Sequence, residues 1–252
     1  MPLDLDSRVR TPFTPALDLP PPFRPVALRE AGNALAHAVD IAAEAGAGTL
    51  VYVGRFDMAE FAVVVEPDEP LRTARRALYA GLTALADALA VHAPPEKPIA
   101  FDWPDTIRID GGLVGGAHLA WPADAVENTA PPWLVFGAMI RTSVMSEREA
   151  GVHPLAAALD AEGFDADAGR LIESFARHFM VAVDLWQQEG FAEVAKNYLA
   201  RLVAAKGVRR DLDDNGDLLL RRVGNAAVER RALVPRLGRP SWLDPATGAP
   251  LL

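Results

Sequence analysis

Two aspartates, Asp102 and Asp105, flank the dipeptide Trp103-Pro104 and are the first candidates for general acid–base chemistry. A pair of carboxylates can divide the roles of acid and base when their surroundings separate their pKa values. At this spacing the two side chains can face different ways, so the pair alone is weak evidence for a site. A second acidic pair, in the Asp-Asp-Asn-Gly segment at residues 213–216, is typical of a turn rather than of catalysis.

Glycines crowd residues 111–116, Gly-Gly-Leu-Val-Gly-Gly, within a segment that we predict to be a hairpin. They match neither the phosphate-binding loop nor the glycine motif of dinucleotide-binding folds. Two interpretations remain open. The glycines allow a tight turn and close packing of strands, or they leave room for a ligand to approach the backbone. Composition alone favours the first interpretation.

The remaining residue types exclude several kinds of chemistry. The chain has no cysteine, which rules out disulfides, cysteine-ligated metal and a thiolate nucleophile. No Gly-x-Ser-x-Gly segment occurs, so acyl-serine chemistry is not predicted. No metal site is predicted either, because the histidines lack the spacing of metal ligands: His37, His92, His118, His153 and His178.

The composition is that of a folded, acidic protein. Its 252 residues suffice for one large domain with an appendage, and 50% of them are hydrophobic. The formal net charge is −9, which argues against a nucleic-acid partner. We find neither a signal-peptide pattern nor a long apolar segment, so we expect a cytoplasmic protein with no membrane partner.

The C-terminal part is locally basic despite this overall charge. Its arginines form either a solvated face or a dock for an acidic partner. They are Arg209, Arg210, Arg221, Arg222, Arg230 and Arg231.

Hydrophobic periodicity and turn residues predict the elements that position these groups. Helices are predicted at residues 28–44, 71–93, 169–188 and 191–205. Strands are predicted at residues 49–53, 61–65, 99–103, 107–109, 113–121, 133–142, 207–211, 218–222 and 228–233. Because turns rather than helices join most strands, the fold is predicted to be α+β with a mixed, largely antiparallel sheet. The predicted domains are a proline-rich arm (residues 1–25), a main domain (26–205) and a small β domain (206–252).

In chain order, several of these segments resemble the biotin/lipoate protein ligase family from about residue 28 onward. The most specific, residues 103–115, is similar to a Lys-Trp-Pro-Asn-Asp motif followed by a strand and Lys-Leu-Ala-Gly. Asn33 falls at a family Ser-Thr-Asn, and Gly54-Arg55 falls at its Gly-Arg-Gly-Arg loop. Residues 135–140 look like its Gly-Ile-Gly-Ile-Asn strand, and residues 207–220 resemble the SH3-like C-terminal domain of biotin protein ligases.

The resemblance implies a mixed sheet flanked by helices, as in class II synthetase cores, with an SH3-like β appendage. It implies that a biotin- or lipoate-like carboxylic acid is activated with ATP and Mg²⁺ to an acyl-adenylate, then transferred to a lysine of a carrier domain. It assigns the catalytic role of the motif's acidic residue to Asp105. The ligand-binding residues that it implies are Arg55, Trp103, Gly112, Gly115 and Gly137.

The sequence departs from the family where cations should offset repulsion between a carboxylate and phosphates. The Lys-x-x-Gly lysine aligns with Gly112, the lysine before Trp-Pro aligns with Asp102, and the Gly-Arg loop shortens to residues 54–57. Loss of such a cation costs a few kcal/mol of transition-state stabilisation, which argues against ordinary ligase activity. Arg141, on one strand face with Gly137 by the period of two, is a candidate replacement; the alternative is a strand-end arginine in solvent.

Two functional hypotheses therefore remain open. The first is a divergent ligase-like protein that binds a small carboxylic acid or its adenylate. The second is a non-catalytic binding or regulatory protein that docks an acyl-carrier-type domain.

Overall fold

A seven-stranded sheet forms the centre of the structure, a computed structural model that describes residues 16–143, 156–203 and 205–251. Its strands are β1 (Arg24–Leu28), β2 (Thr49–Val53), β3 (Met58–Val65), β4 (Ile99–Asp102), β5 (Thr106–Ile109), β6 (Gly112–Ala120) and β7 (Leu134–Arg141). They lie in the order β1-β2-β3-β7-β6-β5-β4. The β1–β2 pair is parallel and the other neighbouring pairs are antiparallel, which confirms the predicted mixed, largely antiparallel sheet.

Helices cover both faces of this sheet. They are α1 (Ala34–Ala45), α2 (Leu71–Ala74), α3 (Ala77–His92), α4 (Ala168–Glu189), α5 (Phe191–Arg201) and α6 (Val234–Leu237). On one face, which we name the helix face, α3 and α4 pack over a large apolar core. On the other, the α1 face, α1 packs on β2, β3 and β7.

The core of the helix face is built around stacked phenylalanines. The Phe136 ring lies 5.6 Å from that of Phe175 and 6.1 Å from that of Phe179. Helix α3 can approach this ring because it carries Gly81, where a Cβ would come within 2.2 Å of Phe136. Burial of each such aromatic side chain stabilises the fold by about 1.5–3 kcal/mol. This packing fills the helix face with apolar side chains, so the polar groups of the candidate site lie on the α1 face.

On the α1 face, small residues hold the helix close to the strands. Ala34, Ala38 and Ala42 recur every four residues and are all buried. The side chain of Asn33 caps the helix by accepting from the backbone N–H of Ala36 at 2.8 Å. The helix therefore begins at a defined point beside the middle of the sheet.

Several bounds differ from the sequence-based predictions. The first helix begins at Ala34 instead of residue 28, because residues 24–28 form β1, an edge strand in which Pro25 is tolerated. The long helix predicted at residues 71–93 is interrupted between α2 and α3 by a tighter turn, in which Arg76 N–H bonds to the Thr73 carbonyl. Of the predicted arm, residues 1–15 lie outside the described residues, and β1 begins before the predicted boundary at residue 25.

The small C-terminal β unit is a three-stranded antiparallel sheet. Its strands are β8 (Val208–Leu212), β9 (Leu218–Arg222) and β10 (Val228–Arg231), in the order β10-β9-β8. The Asp213 carboxylate accepts from the backbone N–H groups of Asn215 and Asp217, which confirms the predicted turn. After α6, residues 241–251 return to the α1 face as a short two-stranded loop that we name the C-terminal hairpin.

Strand β6 carries one more residue than β5, and this bulge requires a glycine. Ile107 pairs with Gly115 but the next residue of β5, Arg108, pairs with Leu113. Gly115 has φ of +152°, and a Cβ there would lie 1.9 Å from the carbonyl oxygen of Met139. At this position the structure supports the close-packing interpretation of the glycine-rich segment.

We expect Gly115→Ala to lower the free energy of unfolding by about 3 kcal/mol or more, because the methyl group must displace the backbone of β7. The matched control is Gly111→Ala, where φ is +83° and no atom lies within 4 Å of the new Cβ. That variant should lose about 1–2 kcal/mol, the cost of left-handed backbone alone. Equilibrium denaturation in guanidinium chloride measures both values, and equal losses would contradict the packing argument.

Candidate ligand-binding site

The candidate site begins where the N-terminus of α1 meets β3. The Glu60 side chain accepts the backbone N–H of Ala34 at 2.9 Å and is 4% exposed. Burial raises the pKa of Glu60, and the bond from Ala34 opposes that rise. A helix N-terminus attracts anions, and here a carboxyl group of the chain itself already occupies it.

Next to Glu60, the arginine of the shortened Gly-Arg loop is paired within its own loop. The Arg55 guanidinium donates to both carboxylate oxygens of Asp57, at 2.7 and 2.6 Å. Its Nη1 also lies 3.9 Å from a Glu60 oxygen. The hydrogen bond from Arg55 lowers the pKa of Asp57, and the charge of Arg141 adds to the effect. The positive charge of Arg55 is therefore largely balanced by two carboxyl groups.

Arg141, at the end of β7, is buried rather than solvated. Its side chain donates from Nη2 to the carbonyl oxygens of Pro250 at 2.9 Å and Leu251 at 3.3 Å. A longer bond of 3.5 Å joins Nη1 to the carbonyl of Ala157. The alternative of a strand-end arginine in solvent is wrong, because the C-terminal hairpin covers this end of the strand. Arg141 lies on the same face of β7 as Gly137, as the period of two predicted.

Asp105, at the start of β5, is the most strongly perturbed carboxyl group on this side of the sheet. It is 1% exposed, and burial raises its pKa to about 7. The Thr106 hydroxyl lies 3.4 Å from its Oδ1, and Trp242 and the charge of Arg236 also favour its ionised form. Asp105 therefore holds its proton near neutral pH and can act as a hydrogen-bond donor.

Trp242 of the C-terminal hairpin covers Asp105 and the middle of β6. Its side chain is fully buried, and a Cβ on Gly116 would come within 2.5 Å of its indole. The ring centroid lies 4.7 Å from that of His118, whose pKa burial lowers to about 4. The indole N–H makes no hydrogen bond of normal geometry, although it faces Asp105. The same face supplies an apolar floor from Met58, Leu113 and Met139.

The structure does not bring all predicted site residues together. Trp103 packs against the helix-face core, where its indole N–H donates to the Tyr79 hydroxyl at 3.0 Å. At Gly112, a Cβ would come within 2.7 Å of the Cβ of Ala157, so a longer side chain has no room there. Trp103 lies away from Asp105 and Arg141, because its indole packs on the helix face of the sheet.

The other predicted glycines have packing explanations. Gly115 forms the bulge described above, and a Cβ on Gly137 would lie 2.9 Å from Leu35 of α1. Gly137 thus allows α1 to approach β7, next to Glu60 on the neighbouring strand. A ligand contact at either glycine remains a prediction.

Sequence reasoning missed three residues of the site. Asp57 and Glu60 follow Arg55 at short spacing, which is a signal of local charge pairing that could have been used. Trp242 lies in a turn-rich segment between prolines and gave no signal. Its position depends on a contact with β6, which is distant in sequence.

A separate groove of about 550 Å³ opens beside Arg55, between α4 and residues 16–17. Its rim includes the carboxylates of Glu30, Asp167 and Glu173 as well as the guanidinium of Arg170. Asp167 caps α4, and Glu173 accepts the backbone N–H of Asp18. Arg55 also lines the groove, so its charged lining comprises three carboxylates and two guanidinium groups, a balance that does not favour an anion.

The described residues also bear on metal binding and on membrane insertion. Within residues 16–143, 156–203 and 205–251, no group of three or more His, Cys, Asp or Glu side chains is placed to hold a metal ion. Among the helices described above, none is long and apolar enough to cross a bilayer.

The pKa of Asp105 predicts how stability depends on pH. Because the native state raises this pKa from 3.8 to about 7, it binds the proton more tightly than the unfolded chain. The contribution of Asp105 to stability is complete below the unfolded value and is lost as the pH rises through about 7. Relative to Asp105→Asn, the natural chain should lose on the order of 2 kcal/mol between pH 5 and pH 8.

Unfolding free energies of both proteins at several pH values measure this difference. The low pKa of His118 affects both proteins alike, so its contribution cancels in the comparison. A difference that does not change with pH would contradict a buried, proton-holding Asp105.

Comparison with solved structures identifies similar folds. A biotin protein ligase-like protein of unknown function from Silicibacter sp. TM1040 is 27% identical with a TM-score of 0.74, covering 87% of this chain and 98% of that one. Apo biotin protein ligase from Aquifex aeolicus is 13% identical with a TM-score of 0.65, covering 83% and 95%. The Leishmania major ligase in complex with biotin is 17% identical with a TM-score of 0.53, covering 84% and 99%.

The two ligases are too distant in sequence to indicate more than a shared fold. The comparison with curated proteins gave no match. The model of the biotin/lipoate A/B protein ligase family matches residues 19–200, which include the whole seven-stranded sheet, helices α1 to α4 and all of α5 except Arg201. By this match the chain belongs to the biotin/lipoate A/B protein ligase family.

Proposed function

We propose that this protein binds a small carboxylic acid of the biotin or lipoate kind at the candidate site and does not activate it as an adenylate. Membership of the family supports the first half of the proposal. A ligase from Aquifex aeolicus with this fold is known in complex with biotin and ATP, and one from Leishmania major with biotinyl-5-AMP. The second half depends on the charges of the candidate site.

The observation that supports the absence of adenylation is that the guanidinium groups of Arg55 and Arg141 are already bound by groups of the protein itself. Adenylation brings a carboxylate against a triphosphate, so fixed cations must offset repulsion in the transition state. Arg55 is paired with Asp57 and Glu60, and Arg141 donates to main-chain carbonyls. At the position of the family's lysine, the backbone of Gly112 faces Ala157 without space for a side chain.

ATP and Mg²⁺, the cofactors implied by the family, do not fit the described residues of the candidate site. Asp57 and Glu60 would repel phosphate oxygens. Their carboxyl groups are held by Arg55 and by the N–H of Ala34, and no acidic cluster in the described parts of the chain is arranged for a cation. We therefore propose binding without adenylation.

The same residues suit an acid with an apolar body. Met58 and Met139 would supply an apolar floor, and Arg141, once released from the carbonyls of Pro250 and Leu251, would supply a charge for the carboxylate. Burial raises the pKa of Asp105 to about 7, and the protonated form of this carboxyl group can donate a hydrogen bond instead of repelling an anion. The site thus needs one charged contact rather than the several that phosphate requires.

Pyrophosphate release tests the absence of adenylation. The full chain is incubated with ATP, Mg²⁺ and biotin, lipoate or octanoate, and calorimetry measures binding of the same acids without ATP. We expect binding of at least one acid and no pyrophosphate above background. Pyrophosphate with any of the acids would contradict the second half of the proposal, and the absence of binding would contradict the first.

A charge variant tests where the acid binds. At pH 8, Glu60→Gln should raise the affinity for that acid by about fivefold to tenfold, because about 1 kcal/mol of repulsion is removed. The matched control is Glu66→Gln, since Glu66 also accepts a backbone N–H, that of Ala47, at the far end of α1. Calorimetry should find no change for the control, and equal affinities for all three proteins would place the acid elsewhere.

A second candidate function, docking of an acidic carrier domain, is favoured by the small sheet. Residues 206–252 hold nine basic and six acidic side chains, a net charge of +3 in a chain of −9. Arg209 and Arg221 lie directly opposite each other on β8 and β9, and both are exposed. Neither forms an ion pair with another described residue. Like charges at this position destabilise a sheet, so an anionic partner would relieve the repulsion.

The affinity of this protein for an isolated acidic lipoyl-type carrier domain, measured with the carrier domain immobilised on a sensor surface, tests this candidate. The double variant Arg209→Glu/Arg221→Glu should weaken binding at least tenfold, and binding by the natural chain should weaken as salt rises. Arg177→Glu is the control, because Arg177 is exposed on α4 and pairs with Asp18. Unchanged affinity in the double variant would overturn the candidate.

A further inference from the structure

The C-terminal hairpin is a self-contained unit. The backbone N–H of Leu251 bonds to the carbonyl of Trp242 at 2.7 Å, and that of Asp244 bonds to Ala249 at 2.8 Å. The Asp244 carboxylate also accepts from the N–H of Ala246 and the Thr247 hydroxyl, which closes the turn. These backbone bonds are made within the hairpin, and its turn is exposed.

Its contacts with the rest of the protein fall on the candidate site. Trp242 fills the space above Gly116 and packs against Met139. The carbonyls of Pro250 and Leu251 accept from Arg141. These are the apolar floor and the charged group that the proposed acid requires.

We propose that the C-terminal hairpin is an internal occupant of the candidate site, and that it must lift away before an acid binds there. The inference rests on the proposed function, because it concerns the regulation of the same site. An acid that uses Arg141 and the floor formed by Met58 and Met139 would overlap the hairpin carbonyls and the Trp242 indole. The acid and the hairpin therefore compete for one place.

The attachment of the hairpin has a weak point that allows it to open. The buried indole N–H of Trp242 faces Asp105 without a hydrogen bond of normal geometry, so part of the gain from burying the ring is offset. The Arg141 guanidinium donates to the hairpin carbonyls, and a ligand carboxylate in their place would accept a charge-assisted hydrogen bond, which is stronger than a bond to a neutral carbonyl. Because the hairpin keeps its own hydrogen bonds when it moves, opening does not require the sheet to unfold.

Opening would also change the surroundings of Asp105. Thr106, Trp242 and the charge of Arg236 are the groups that face this carboxyl, and removal of the indole would admit water to it. The affinity for an acid would then equal its affinity for the open form multiplied by the fraction of open molecules. The hairpin therefore sets the concentration of acid at which the protein responds.

A reversible disulfide tests the proposal in the full chain. The hydroxyl oxygens of Thr106 and Ser241 are 3.3 Å apart, and the chain has no cysteine that could interfere. The double variant Thr106→Cys/Ser241→Cys, oxidised, should bind biotin and lipoate at least tenfold more weakly than the same protein after reduction. Because one protein is compared in two redox forms, effects of the substitutions cancel. Equal binding of an acid by both forms would overturn the proposal.

Hydrogen exchange provides a readout that needs no ligand. The amides of Asp244 and Leu251 should exchange in the reduced form at least tenfold faster than the central amides of β7, and oxidation should slow them. Exchange of the hairpin only together with β7 would overturn the proposal. If neither redox form binds an acid, the proposed function fails, and fast hairpin exchange with slow β7 exchange would still support an opening hairpin.

Trp242→Ala provides an independent check on the occupant. It should raise the affinity for the acid that binds by at least fivefold and speed exchange at Leu251. The control is Trp186→Ala, because Trp186 lies on α4 against the helix-face core. A loss of affinity in Trp242→Ala, with the fold retained, would mean that the indole belongs to the ligand site instead of blocking it.

Discussion

Two consecutive glycines of β6 determine what the α1 face of the sheet can hold. Gly115 lets β6 lie against the carbonyl of Met139, and Gly116 leaves the space that the indole of Trp242 fills. Because the indole is fully buried there, it keeps water from Asp105 and His118. Burial raises the pKa of Asp105 and lowers that of His118, so the neutral form of each side chain is favoured. The polar character of this face therefore follows from an absence of side chains at two positions.

Charge on this face is balanced within the protein. Arg55 binds Asp57, Glu60 accepts from the N-terminus of α1, and Arg141 binds the end of the C-terminal hairpin. Each of these contacts uses a group that could otherwise bind an anion. A site with this balance tolerates the single negative charge of a carboxylate more readily than a carboxylate and a multiply charged triphosphate brought together. Such a balance connects the fold of a ligase with the function that we propose.

The sheet was predictable because its strands are short apolar segments bounded by glycine, proline and turn residues. Strand β7 is buried along its length, and the helical period placed both bounds of α4 and the end of α3 within one residue, although it missed the turn that separates α2 from α3. Strand β1 was not predicted, because Pro25 hides a strand whose pairing depends on β2. Within the site, the period of two placed Gly137 and Arg141 on one face. The position of Trp242 followed from no local pattern, since it depends on the space above Gly116.

The absence of a lysine at position 112 and the burial of the Trp242 indole are related through the charge of Asp105. A further cation beside Asp105 would favour its ionised form, and burial of that form under the C-terminal hairpin would carry a large desolvation cost, which the contacts with Thr106, Trp242 and Arg236 offset only in part. Without that cation, Asp105 can keep its proton, and an apolar ring can cover it at little electrostatic cost. The loss of charge that argues against adenylation is thus the condition that allows the hairpin to pack there.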